Sequence, residues 1–238
     1  MGNVFAMIDQ AGNLQPFLAA DIGGTHARLA LVQAASHGRS VELLAFHKYD
    51  CTNYDRLGDF IADFLARHVR TKVDRGVIAG AGYAPEDGKI ITANLRWLLS
   101  IRETQERLGF VDLRLVNDFK AVANAVAALP SLVTTRIAGD AITVAARDDG
   151  DTPAGKTLDA FHAFLGSVAG DMVLACSAVS VRLAGGFLLR IGERLVGSRC
   201  AERFLDKGAV RTSLGQVPVH PVEHGQLGIV GAAHWYLE

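Results

Sequence analysis

The most informative stretch of the sequence is FLAADIGGTHARLALVQA at residues 17–34. It consists of two short apolar runs separated by Gly23, Gly24 and Thr25, a pattern typical of two strands joined by a turn. Adjacent glycines let the backbone turn tightly, with positive φ expected at Gly24, and direct N–H groups into a concavity that can hold phosphate oxygens. The same sequence also fits an ordinary Gly-Gly hairpin, so both interpretations stand.

Alternating strand and helix patterns continue through the first 130 residues. Apolar runs and helical spacings predict further elements, in chain order, at 41–49, 54–70, 75–83, 100–109, 113–118 and 119–129. Ser100 followed by Glu103 is a capping-box signature, so the fourth of these elements is expected to be a helix that begins there. The order β-β-β-α-β-α-β-α predicts a mixed sheet with helices on its faces.

The rest of the chain is predicted to be organised differently, with a long helix over 154–179. One stripe of this helix carries large apolar side chains, at Leu158, Phe161, Leu165, Val168 and Met172. Short strands and a closing helix are predicted at 181–184, 217–222 and 226–237. We place the domain boundary near Pro130–Arg136, which gives domains at 1–130 and 131–238.

Composition and charge exclude several classes of protein. The 238 residues include 24 Lys plus Arg and 25 Asp plus Glu, for a formal net charge of −1. A nucleic-acid binder needs a basic surface that neutralises phosphates, so we expect no nucleic acid as a partner. Apolar residues make up 50% of the chain, which excludes disorder for most of its length and supplies a sizeable core.

Several features of the sequence predict a cytoplasmic protein. No apolar run reaches the ~18 residues that a membrane span needs, so no membrane partner is expected. Residues 1–12 have neither a basic region nor a long apolar segment, so they do not predict a secretory signal. Cys51, Cys176 and Cys200 are odd in number and widely spaced. This pattern does not predict a disulfide framework, and it fits a protein of a reducing compartment.

Three polar side chains are candidates for catalysis and for binding a metal or a hydroxyl. Asp21 follows a predicted strand and can hold a hydrated Mg²⁺. Asn117 and Asp118 lie where another strand ends and a helix begins, and ligands bind at the carboxyl ends of strands in open α/β sheets. An Asp there can accept a proton from an alcohol, and an Asn can bind a neighbouring hydroxyl. The same pair also fits an ordinary helix cap.

Two glycine-containing stretches are further candidates for nucleotide binding. Gly185 and Gly186 follow a short predicted strand, and either a nucleotide contact or a plain turn explains them. Residues 150–157, GDTPAGKT, satisfy the P-loop pattern with Lys156 as the phosphate ligand. Acidic residues before and inside this stretch would repel phosphates, however, and a helix with Pro153 in its first turn is the simpler explanation.

Five stretches of the sequence occur together in an order typical of one enzyme family. They are ADIGGTHARLAL, IAGAGYAPEDGKIITANLRWLLSI, LVNDFKAVANA, LAGGFLLRI and PVHPVEHGQLGIVGAA. With them the chain resembles the bacterial glucokinase family, which are sugar kinases of the hexokinase type. The resemblance covers residues 17–130 well and 137–236 moderately. It implies an α/β, actin-like or ribonuclease-H-like two-domain fold with a truncated C-terminal domain.

The resemblance implies ATP-dependent phosphorylation of glucose or a similar hexose, with ATP and Mg²⁺ as cofactors. Asp118 matches the family's catalytic base and Asn117 a ligand of a sugar hydroxyl, while Asn94 lies in the segment that flanks the sugar. Phosphate and nucleotide binding fall on Asp21, Gly23, Gly24, Thr25, Gly185 and Gly186. Asp21 would hold Mg²⁺ through water. The resemblance leaves a homodimer open.

The chain also departs from the family pattern. Between Pro130 and Arg136 the family carries a block on the order of 80 residues, comparable with a small domain, which holds a second phosphate loop and a sugar-binding Glu/His segment. Neither is present. His26 stands where Asn is usual, and Arg96 and Leu98 stand where prolines are common. A non-catalytic relative that serves as a binding or interaction module is therefore the alternative to a glucose kinase, and a P-loop NTPase is a third.

Overall fold

The chain is divided into two structural units. The structure, a computed structural model, describes residues 15–34, 41–81, 89–90, 99–128, 153–185, 188, 194–222 and 225–238. Contacts between Cα positions separate Met1–Pro130 with Gln226–Glu238 from Ser131–Gly225. The last helix therefore groups with the first unit, whereas sequence order alone had assigned it to a C-terminal domain at 131–238.

A five-stranded mixed sheet forms the centre of the first unit. Its strands are β1 Phe17–Ile22, β2 His26–Ala34, β3 Val41–Asp50, β4 Arg75–Gly80 and β7 Asp112–Asn117, and a separate short ladder joins β5 Lys89–Ile90 to β6 Leu99–Ser100. The spatial order is β3-β2-β1-β4-β7. Strands β3, β2 and β1 are antiparallel, whereas β1, β4 and β7 are parallel. The predicted mixed sheet is confirmed.

Helices cover both faces of this sheet. They are α1 Leu57–His68 and α2 Ile101–Leu108 on one face, and α3 Asp118–Ala128 and the C-terminal α7 Leu227–Leu237 on the other. Successive side chains of a strand point to opposite faces. In β1, Leu18 and Ala20 are buried in the core beneath α1, while Phe17 and Ala19 are buried beneath α7. The central strand is therefore apolar throughout until it reaches Asp21.

The local signals that predicted α2 are present in the structure. The Ser100 Oγ accepts a hydrogen bond from the Glu103 N–H at 3.2 Å, which caps the first turn. Gly109 ends the helix with φ of 71°, a left-handed conformation that glycine adopts without the strain of a Cβ. The predicted start and end of this helix are confirmed.

Helices α3 and α7 touch through their backbones. A Cβ at Gly231 would overlap the carbonyl oxygen of Ala121, so only glycine permits this approach. At the far end of α7, the Tyr236 hydroxyl donates to the Asp112 carboxylate at 2.9 Å, which ties the helix to β7. Nearly every side of α7 is buried, and this explains its continuous apolar sequence.

The second unit has its own smaller core. It contains α4 Pro153–Cys176, β8 Val181–Leu183, α5 Arg199–Leu205, α6 Arg211–Gly215 and β9 Val219–Pro221. Strands β8 and β9 are parallel, and the core is built from buried side chains on α4, both strands, α5 and α6. The long predicted helix and the two short strands are confirmed.

The buried face of α4 differs from the predicted stripe. Cβ atoms at Gly166 and Gly170 would overlap backbone atoms of Cys200 and Phe204, so small residues set the face that meets α5. Leu158 and Leu165 pack on this core as expected. The other three stripe residues are exposed, by 37%, 40% and 56%: Phe161, Val168 and Met172. Close backbone approach at the glycines has replaced contact through large side chains.

Helix α4 also meets the length and hydropathy criteria for a membrane span. Within the described residues one such segment occurs, Gly155–Cys176, and 28% of its most apolar stretch is buried. The sequence had predicted no apolar run of that length. A core helix of a water-soluble domain passes the same test, and α4 packs on α5 through its glycines, so this feature is weak evidence for a membrane location.

Candidate functional site

The carboxyl ends of three parallel strands bring Asp21, Asn117 and Asp118 to one edge. Ile22, Gly80 and Asn117 share a row across β1, β4 and β7. Adjacent strands are about 4.8 Å apart, so the ends of β1 and β7 are separated by roughly 10 Å. Gly80 ends β4 between them without a side chain. Asp21 and Asp118 therefore border the same opening in the sheet edge.

Asp21 is held in an ion pair on this edge. It lies opposite Arg28 in the β1–β2 ladder, and the Arg28 guanidinium contacts the Asp21 Oδ2 at 3.1 Å. Burial raises the pKa of the Asp21 carboxyl; Arg28 lowers that pKa, and the nearby Asp118 carboxylate raises it further. The two carboxylates are thus close enough to repel each other, and a cation between them would relieve that repulsion.

The donors on this edge suit a hydrated Mg²⁺ better than a fully protein-ligated metal. Among the described residues there is no group of three or more His, Cys, Asp or Glu that could hold a metal. Mg²⁺ keeps several of its waters and is usually bound by one or two carboxylates together with substrate phosphates. Asp21 provides one such carboxylate, and Asp118 nearby adds negative charge that favours a cation.

Gly228, in the first turn of α7, also lies against Asp21. A Cβ at Gly228 would lie 2.6 Å from the Asp21 Cγ and within 2.9 Å of both carboxylate oxygens. The carboxylate therefore occupies the space that any other side chain would need, beside a helix N-terminus that favours negative charge. Sequence reasoning had given Gly228 no role, because the contact joins residues more than 200 positions apart in the chain.

The glycine turn between β1 and β2 is exposed and closed by one backbone bond. The Gly23 N–H donates to the His26 carbonyl at 3.0 Å, and Gly24 and Thr25 are exposed. Neither glycine is among the described residues with positive φ. The expectation of positive φ at Gly24 is therefore wrong, and what glycine provides here is an open approach to the backbone.

Asn117 ends β7, and Asp118 begins α3. The Asn117 Oδ1 accepts from the N–H groups of Phe119 at 3.0 Å and Lys120 at 3.3 Å, which confirms the helix-cap interpretation for this side chain. The Asp118 Oδ1 also accepts from the Phe119 N–H, at 2.9 Å. Asp118 is half-buried, and Phe119 beside it is 81% exposed. The cap fixes the orientation of the Asp118 carboxylate at the edge of the sheet.

The remaining predicted site residues lie elsewhere in the chain. Asn94 and Gly186 are outside the described residues. Gly185 belongs to the second unit, where it is exposed with φ of 149° and accepts from the Leu188 N–H at 3.1 Å. That conformation is one that glycine adopts far more readily than other residues. A nucleotide role for Gly185 stays a prediction.

Comparison with known proteins places the chain in a family. The sequence model of the family described as Glucokinase matches residues 18–140 and 132–238. The chain belongs to the glucokinase family. One relative, the glucokinase-like protein of Xylella fastidiosa (strain 9a5c), is 32% identical over 323 aligned positions, which cover 95% of this chain and 96% of that protein.

Solved structures of sugar kinases share the fold. The glucokinase of an Antarctic psychrotroph has a TM-score of 0.73 at 24% identity, covering 93% of this chain and 98% of its own. A ROK family glucokinase from Streptomyces griseus, solved with glucose and AMPPNP, has a TM-score of 0.61 at 16% identity, covering 92% and 98%. The predicted actin-like α/β fold is confirmed.

Family membership also bears on the P-loop pattern. Gly155, Lys156 and Thr157 lie within α4, which begins at Pro153 as predicted. Residues 150–152 lie outside the described part. Pro153 in the first turn fits the start of an ordinary helix, and the P-loop hypothesis stays an untested alternative.

Proposed function

We propose that this member of the glucokinase family transfers the γ-phosphoryl group of ATP to the primary hydroxyl of glucose or a similar hexose. The observation that carries the proposal is that Asp118 and Asp21 lie at the same carboxyl edge of the sheet, beside the exposed glycine turn. A fixed carboxylate for the sugar and an open backbone for phosphate are the two parts that phosphoryl transfer needs. The relatives named above support the same activity.

Asp118 is proposed as the general base. Its carboxylate would accept the proton of the sugar hydroxyl as the hydroxyl oxygen attacks the γ-phosphorus and the bond to the β-phosphate oxygen breaks. The helix cap at α3 holds this carboxylate in place. Asn117 would contact a neighbouring hydroxyl through its amide NH₂, since its oxygen is engaged in capping. Asn94 stays a proposed sugar contact.

Phosphate binding is proposed for the glycine turn. The N–H groups of Gly24 and Thr25 and the Thr25 hydroxyl would donate to phosphate oxygens, with Gly23 closing the turn behind them. Bound Mg²⁺ would neutralise charge on the phosphates. Asp21, oriented by Arg28, would hold one or more of the waters of that ion. Gly185 and Gly186 are proposed for the nucleotide side.

A coupled assay tests this function. Purified chain is mixed with glucose and MgATP, and formation of glucose 6-phosphate is followed through a dehydrogenase that reduces a nicotinamide cofactor. Product that requires both substrates and the chain supports the proposal. Hydrolysis of ATP that does not depend on glucose would favour a nucleotidase instead.

Nucleotide binding should depend on Gly24 and not on Lys156. A valine at Gly24 would block approach of phosphate to the turn, and losing a charge-assisted hydrogen bond should weaken MgATP binding roughly tenfold to a hundredfold. Lys156→Ala removes an exposed cation of α4 and should leave the dissociation constant unchanged. Calorimetric titration of both variants with MgATP measures this, and the reverse pattern would favour the P-loop hypothesis.

Glucose binding should be weak. The relative from Xylella fastidiosa aligns over 323 positions whereas this chain has 238 residues, which supports the proposed loss of an internal block near Pro130–Arg136. With few partners for the sugar hydroxyls, we expect a dissociation constant above about 1 mM, or less than about 4 kcal/mol of binding free energy. Calorimetric titration with glucose decides this, and a micromolar value would mean that other residues have replaced the lost contacts.

The exposed apolar face of α4 favours a second candidate function, a non-catalytic interaction module. Phe164 is 69% exposed and Met172 56%, and both lie on α4, where Val168 and Leu174 are also exposed. Exposed apolar surface of this kind marks interaction sites. If the coupled assay and the MgATP titration are both negative, this candidate replaces the kinase.

We also propose a cytoplasmic location. All three cysteines are free, as expected in a reducing compartment. Cys51 and Cys200 are buried in the cores of their units.

A further inference from the structure

A short 3-10 turn, Cys51–Asn53, lies directly behind the glycine turn of the first unit. The Cys51 N–H donates to the Thr25 carbonyl at 2.9 Å. The Cys51 thiol donates to the Gly23 carbonyl, with 3.4 Å between sulfur and oxygen. One residue therefore engages two carbonyls of the glycine turn, from a position where only 6% of its surface is exposed.

The thiol bond to Gly23 determines which way the next N–H group points. In a trans peptide the C=O and the following N–H are antiparallel. The Gly23 carbonyl points toward Cys51, so the N–H group of Gly24 points to the opposite, exposed side of the turn. The bond to the Thr25 carbonyl anchors the other end of the turn. An N–H group on the exposed side of such a turn can donate to an anion.

The 3-10 turn is itself held in place. The Asp50 Oδ1 accepts from the Thr52 N–H at 2.9 Å and from the Thr52 hydroxyl at 2.7 Å. These hydrogen bonds lower the pKa of Asp50, so its carboxylate stays ionised at neutral pH. Burial raises the pKa of the Cys51 thiol, so it keeps the proton that it donates to Gly23.

We propose that Cys51 is a positioning residue for phosphate binding. By holding the carbonyls of Gly23 and Thr25, it fixes the turn and presents the Gly24 N–H to the ATP phosphates. The inference rests on the proposed function, since it assumes that this turn binds phosphate. It adds a residue that touches neither substrate and that no pattern in the sequence had indicated.

Three substitutions remove the two donors stepwise. Cys51→Ser keeps both donors, Cys51→Ala removes the side-chain donor, and Cys51→Pro removes both. Proline fits the first position of the 3-10 turn, because Asp50 before it has φ of −86° and ψ of 123°, the extended conformation that proline requires of its predecessor. The series therefore changes hydrogen bonding with little demand on the backbone.

Two quantities are measured for each variant of the full chain. They are the dissociation constant of MgAMPPNP, by calorimetry, and the amide hydrogen exchange of the Gly23–His26 turn without nucleotide. We expect Cys51→Ser to resemble the wild type. Cys51→Ala should weaken binding about twofold to fivefold and Cys51→Pro tenfold or more, in line with one weak and one ordinary hydrogen bond. Exchange in the turn should accelerate in the same order.

Cys200→Ala is the matched control. It removes another buried thiol, 2% exposed and in the second unit, and so separates a general loss of stability from an effect on the turn. The substitution should lower thermal stability without changing amide hydrogen exchange in the Gly23–His26 turn or the affinity for MgAMPPNP. Because Cys51→Pro could fail to fold, Cys51→Ala provides the same comparison with a smaller expected effect.

The outcomes separate this inference from the proposed function. If the wild type binds MgAMPPNP and the folded Cys51→Ala and Cys51→Pro variants bind it equally well, the inference is overturned and the function stands. If the wild type does not bind MgAMPPNP, the proposed function fails and phosphate positioning fails with it. Amide hydrogen exchange of the Gly23–His26 turn then still reports whether Cys51 holds the turn in place.

Discussion

Asp118→Asn should abolish most glucose phosphorylation while the protein stays folded. Removing a positioned general base typically costs ~10²–10⁴-fold in rate. Asparagine has nearly the same shape, and its side-chain oxygen can still accept from the Phe119 N–H at the start of α3, as Asp118 does at 2.9 Å. It cannot take a proton from the sugar hydroxyl. The turnover number at saturating MgATP, measured beside a thermal unfolding curve, checks both parts of the prediction.

Asp112→Asn is the matched control for this experiment. Asp112 lies at the opposite end of the same strand, β7, where it accepts from the Tyr236 hydroxyl at 2.9 Å and pairs with Arg114 at 3.1 Å. Its substitution should lower stability and leave the turnover number within about twofold of the wild type, since it touches no proposed substrate contact. Equal activity of the wild type and Asp118→Asn would remove Asp118 from the mechanism.

Gly228→Ala is expected to damage stability and MgATP use together. The new Cβ would lie 2.6 Å from the Asp21 Cγ, which forces either the carboxylate or α7 to move. Overpacking of this kind typically costs about 1–3 kcal/mol of unfolding free energy. A displaced Asp21 would also lose its 3.1 Å contact with Arg28 and its proposed position next to Mg²⁺. Denaturant unfolding and the MgATP dependence of the rate measure the two effects.

Gly215→Ala supplies the comparison for that substitution. Nothing lies within 4 Å of a Cβ built at Gly215, so alanine should be tolerated there. A Gly228→Ala protein as stable as Gly215→Ala, with an unchanged KM for MgATP, would show that Asp21 does not need the space next to α7.

Much of the first unit could be predicted because its signals are local. The continuous apolar run of β1, which buries Phe17 and Leu18 on opposite sheet faces, is visible in the sequence. So is the capping box of Ser100 and Glu103, because the interacting atoms lie three residues apart. Order in the chain also led to Asp21 and Asp118, since parallel strands bring their carboxyl ends to one edge.

The remaining features depend on contacts between distant residues. The all-apolar sequence of α7 predicts burial but not the partner, and the structure packs this helix on the first unit, with Gly228 against Asp21. The expected stripe of α4 was wrong in part, because Gly166 and Gly170 decide the contact face through backbone approach. Cys51 behind the glycine turn gave no sequence signal, since its partners lie 26 and 28 residues earlier.

The central claim is that this site phosphorylates a hexose, and direct detection of the product tests it. The full chain is incubated with MgATP and isotopically labelled glucose at high millimolar concentration, and sugar phosphate is quantified by mass spectrometry. Parallel reactions contain Asp118→Asn, or 6-deoxyglucose, which lacks the accepting hydroxyl. We predict slow formation of glucose 6-phosphate by the wild type and almost none in either parallel reaction. Absence of product from the wild type, or equal product from Asp118→Asn, would contradict the account.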